Sequence, residues 1–76
     1  MAENNIKVER ARFGYSQTEL AEMIGVSLQS IRNWEKDIGQ CSGSNLLALC
    51  NVFGVSLDYL VGLTDRRERN IETRNV

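Results

Sequence analysis

Six glycines and no proline cut this chain into segments that hold only short elements. Between Gly14, Gly25, Gly39, Gly43, Gly54 and Gly62 the apolar residues recur at helical spacing. No segment alternates strongly enough to be a strand. Ile6, Arg10, Ala11 and Phe13 fit a first helix over residues 5–13, which Gly14 can end with left-handed backbone. Ser16-x-x-Glu19 has the pattern of a capping box, in which hydroxyl and carboxylate each bond the other residue's amide. It opens a second helix over residues 17–24, with Leu20, Ala21 and Ile24 on one face and Gly25 as its stop. Ser27 is placed to cap a third over 28–36, with Ile31, Trp34 and Glu35 inward. Ser42 or Ser44 can cap a fourth reaching Phe53, with Leu46, Leu47, Leu49, Cys50 and Phe53 apolar. Ser56 caps a short fifth over 57–61, before Gly62. The expected fold is all-α, a compact five-helix bundle.

With 76 residues the chain makes one small domain, which buries only about 60% of its unfolded surface. We place the domain at residues 1–64 and read 65–76 as a charged tail with a solvated, frayed end, a role as a DNA arm or dimer strap being the less favoured reading. No apolar run approaches the roughly 20 residues of a membrane span. Residues 1–15 lack the apolar stretch of a secretory leader, so a cytoplasmic protein is expected. Cys50 reads as a core thiol and Cys41 as a loop residue; with no histidine beside them, neither a metal nor a cofactor is expected. The chain offers no nucleophile–base pair, no phosphate loop and no paired carboxylates in an apolar setting, so an enzyme is not expected.

Residues 16–35 carry the functional signal. Two helices crossing steeply over a tight turn need a small residue at the crossing, a turn that accepts left-handed backbone, and apolar clamps on the second helix. Ala21, Gly25, and Val26 with Ile31 and Trp34 meet those demands at the right offsets. The third helix then turns Leu28, Gln29, Arg32 and Asn33 away from the core. Gln and Asn can pair with adenine N6 and N7, Arg with guanine O6 and N7, and Leu28 can touch a thymine methyl.

The segment resembles the helix-turn-helix of the phage repressor/Cro-type (lambda repressor-like, XRE-type) family. Gly54-Val55-Ser56-Leu57-Asp58-Tyr59-Leu60-Val61-Gly62 is similar to that family's fifth helix, and the likeness runs from about Asn5 to Gly62. The resemblance implies base reading by Leu28, Gln29, Arg32 and Asn33, with phosphate contacts from Gln17, Ser27 and Lys36. It implies a structural salt bridge between Arg10 and Glu35, and a homodimer through Leu57, Asp58, Val61 and Leu63. The implied function is a repressor on pseudo-palindromic double-stranded DNA. Two features pull the other way. The net charge is −1, whereas a basic face is the usual footprint of a DNA binder. After Trp34-Glu35 the family's basic loop is replaced by Asp37-Ile38-Gly39-Gln40-Cys41-Ser42, where Asp37 tolerates the left-handed backbone of the family's glycine turn better than most residues do. An antitoxin-type protein with a protein partner, or another protein-interaction module on the same fold, therefore stays open.

Overall fold

The computed structural model describes residues 4–67. Helices α1 (Ile6–Phe13), α2 (Gln17–Ile24), α3 (Leu28–Lys36), α4 (Gly43–Phe53) and α5 (Leu57–Leu60) follow in order, with a 3₁₀ turn at Ile38–Gln40 between α3 and α4. There is no strand among the described residues, and no helix there is long and apolar enough to cross a membrane. Ile6, Leu20, Ile31, Leu49, Val55 and Leu60 are fully buried, joined by Trp34, Phe53 and Tyr59. Each such side chain contributes about 1.5–3 kcal/mol through removal from water, and together they fix α3 against the other helices.

The boundaries follow local chemistry. Ser16 accepts from the Glu19 amide at 3.0 Å while the Glu19 carboxylate accepts from the Ser16 amide at 2.8 Å, so the capping box is complete. Gly25 ends α2 at φ 75°. Its amide reaches the Glu22 carbonyl and the Val26 amide reaches that of Ala21, which satisfies the helix's last acceptors. Ser27 and Ser56 cap α3 and α5 through the Ser30 and Tyr59 amides.

Several expectations need correction. Asp37 is extended at φ −149°, not left-handed. Its carboxylate accepts from the Gly39 amide at 3.0 Å and starts the 3₁₀ turn instead. That turn carries Cys41 inward: it lies in the connection before α4, as expected of a loop residue, but it is buried in the core. Burial and the neighbouring Cys50 push the Cys41 thiol up to about 11; it stays protonated and unreactive at neutral pH. Ser42 sits at the start of α4 but makes no capping bond to its backbone. Leu47, expected with the apolar set, is 59% exposed. Nor is the segment after Asp65 simply solvated: the Arg67 carbonyl accepts from the Ser56 amide and its guanidinium binds Glu9. The remaining tail charges, from Glu68 through Arg74, lie outside the described residues.

Candidate nucleic-acid interface

The turn between α2 and α3 is the three-residue stretch Gly25, Val26 and Ser27. Ala21 is buried where the two helices meet, and a larger side chain there would force them apart. Ile31 and Trp34, one turn apart, anchor α3 by its inner face. The opposite face belongs to solvent: Gln29 and Arg32 are exposed, and Leu28 and Asn33 half-buried. Gln29 Nε2 donates to Asn33 Oδ1 at 2.9 Å, one helical turn away. The pair is thus held side by side, and Gln29 Oε1 keeps acceptor capacity and Asn33 Nδ2 donor capacity.

A polar network ties this face to the other helices. Arg10 Nε donates to Glu35 Oε2 at 2.8 Å, and its Nη1 to the Tyr15 carbonyl at 3.2 Å. Both side chains are largely shielded, at 17% and 11% exposure. Gln17 Nε2 donates to Glu35 Oε1 at 3.1 Å. Glu35 therefore joins α1, α2 and the last turn of α3. Gln17 occupies the first turn of α2, where free amides and the helix dipole suit an anion, although its carboxamide is directed toward Glu35. Asn4 adds a further tie, donating to the Trp34 carbonyl at 3.0 Å.

Lys7, Gln17, Gln29, Arg32, Asn33, Glu35 and Lys36 line one open concavity beside α3. Lys7 has no periodic or motif signal in the sequence; only the fold of α1 against α3 brings it to this concavity. Ser27 is exposed at the start of α3, with its hydroxyl engaged by Ser30. The suggested dimer residues lie elsewhere: Leu57 is 42% and Leu63 75% exposed, Asp58 exposed and Val61 half-buried. No cluster of metal-binding side chains occurs among the described residues.

A short helix clamped by a crossing alanine, a left-handed glycine turn and two inward apolar residues, with amide and guanidinium groups on its free face, defines a helix-turn-helix DNA-binding protein. Comparison with known proteins agrees. The helix-turn-helix family profile matches residues 6–60, and the chain belongs to that family in its Cro/C1 (XRE) form, a family of DNA-binding transcriptional regulators. It is 43% identical over 64 residues to the uncharacterised HTH-type transcriptional regulator YgzD of Bacillus subtilis, a match covering 82% of this chain and 94% of YgzD. It is 34% identical over 65 residues to the HTH-type transcriptional regulator ImmR of Bacillus subtilis, covering 86% of this chain and 51% of ImmR. It is 38% identical over 56 residues to the repressor protein C2 of Salmonella phage P22, covering 74% of this chain and 26% of C2. The chain thus spans about half of ImmR and a quarter of C2. No solved structure matches it significantly.

Proposed function

We propose that this protein binds operator DNA as a homodimer with α3 in the major groove, and represses transcription by occupying promoter DNA. The observation that carries the reading is the outward face of α3, where Gln29, Asn33 and Arg32 stand free of the core and beside Lys7 and Lys36. Leu28, Gln29, Arg32 and Asn33 would read base edges. Gln17, Ser27, Lys36 and Lys7 would meet phosphates, which position the protein and carry no sequence information themselves. The repressor role draws on the likeness to the phage repressor C2. The dimer would use Leu57, Asp58, Val61 and Leu63, none of which lines the concavity beside α3. Two copies related by a two-fold axis would meet half-sites about one helical turn, roughly 34 Å, apart.

Selection from random duplex pools at low salt tests this. The expected product is a pseudo-palindrome with half-sites at that spacing. Failure to enrich any sequence, together with recovery of a protein partner from the same cells, would instead favour the interaction-module reading. On the selected site, Gln29→Ala should cost about 1–3 kcal/mol and relax one base position. Unchanged affinity and specificity would remove Gln29 from the reading set.

A further inference from the structure

Glu9 is a carboxylate with no solvent exposure, and the DNA-reading surface makes no use of it. Its Oε2 accepts from Tyr59 Oη at 2.7 Å, Arg12 Nε at 3.2 Å and Arg67 Nε at 3.2 Å. Its Oε1 accepts from Arg67 Nη2 at 2.7 Å, and among the described residues that is the bond recorded for this oxygen. The segment leading to Arg67 runs back across the bundle after α5. It is pinned at one end by the Leu63 amide on the Asp58 carbonyl and at the other by the Ser56 amide on the Arg67 carbonyl.

The next residue of α1, Arg10, faces a different neighbour. It holds Glu35 at the end of the reading helix, and Glu35 holds Gln17. Glu9 and Arg10 are about 100° apart on one helix, so α1 is gripped on one side by the C-terminal segment and on the other by α3. Just ahead of it, Asn4 binds the Trp34 carbonyl in α3 and Asn5 binds the Tyr59 carbonyl in α5. A buried carboxylate that loses its bidentate partner must be rehydrated or moved. Because Glu9 sits inside α1, either response bears on the helix that anchors Glu35 through Arg10.

We propose that residues 61–67 form a strap whose Arg67–Glu9 latch holds the reading helix in its docking pose through α1, so that release of the strap loosens the DNA-binding surface. The functional consequence rests on the DNA-binding reading above; the mechanical coupling does not. Arg67 is a positioning residue in this scheme, remote from any base or phosphate contact.

Amide hydrogen exchange on the full chain, without DNA, tests the coupling. In Arg67→Ala, exchange at Trp34, Glu35 and Asp37 should rise roughly tenfold or more over the core amides of α4. Arg67→Lys, which keeps the charge but loses the two-point grip, should show the same pattern to a lesser degree. Faster exchange confined to residues 56–67, or an equal rise throughout α2, α3 and α4 in both variants, would overturn the proposal. Affinity for the selected duplex is measured in parallel and should fall at least several-fold in Arg67→Ala. A wild-type chain that binds no duplex while the exchange pattern appears would sink the DNA reading and leave the latch standing.

Discussion

Glu9 is the residue whose surroundings differ most from what its type leads one to expect. Burial raises the pKa of its carboxyl, but the hydrogen bonds from Arg67, Tyr59 and Arg12 outweigh burial and hold it below the usual carboxylate range. A group whose pKa is depressed by folding stabilises the folded state above its unfolded pKa, and that contribution is lost as pH falls through the folded value. Wild type should therefore exceed Glu9→Gln in stability near neutral pH, and the gap should narrow as pH drops from about 5 toward 3. Denaturant melts of both proteins across that range check this; a gap independent of pH would mean that the ionised carboxylate contributes nothing. Sequence reading overlooked Glu9 for a clear physical reason. Its partners Tyr59 and Arg67 lie 50 and 58 residues along the chain, and on α1 alone it looks like one more charge on a solvated face. Cys41 is a similar case, since its burial depends on a 3₁₀ turn that three residues of ordinary composition do not announce.

Among the elements, what was readable is what local chemistry decides. The capping box at Ser16 and Glu19, the caps at Ser27 and Ser56, and the glycine stops after α1, α2 and α4 are short-range arrangements of backbone and neighbouring side chains. Where the chain leaves α3, Asp37 could accept left-handed backbone, but it is extended, with its carboxylate bonded to the Gly39 amide. The same substitution at two glycines separates backbone conformation from space. A methyl group at Gly25 meets nothing within 4 Å, yet the residue stands at φ 75°. Gly25→Ala should therefore destabilise by about 1–2 kcal/mol through backbone strain alone. Gly43 also has open space around it and no positive φ, in the first turn of α4. Gly43→Ala should be neutral or stabilising by up to about 0.5–1 kcal/mol, because it restricts the unfolded chain. Thermal or urea unfolding of the two variants measures both; equal effects would show that the left-handed turn between α2 and α3 carries no special strain.

At the scale of the whole molecule the open question is how a chain of net charge −1 holds a polyanion. The answer lies in where the charges sit. Arg10 and Arg67 are engaged with Glu35 and Glu9, so their charge is largely neutralised inside the protein. The cations that line the concavity beside α3 are Lys7, Arg32 and Lys36. On the proposed reading Arg32 meets bases, which leaves Lys7 and Lys36 as the cationic phosphate contacts of each protomer, supplemented by uncharged donors from Gln17 and Ser27. Counterion release scales with the phosphates neutralised, at about −0.9 per contact in a plot of log affinity against log salt. Two lysines per protomer in a dimer give a slope of about −4, or about −5 if Arg32 also counts. A relative with the basic loop that Asp37 to Ser42 replace here would be steeper. Affinity for the selected duplex, titrated from about 50 to 200 mM salt, checks this: a slope of about −6 or beyond would require cations that the described face does not supply. A slope near −4 that falls toward −2 in Lys7→Ala would place α1, and not only the two helices of the motif, against the DNA backbone.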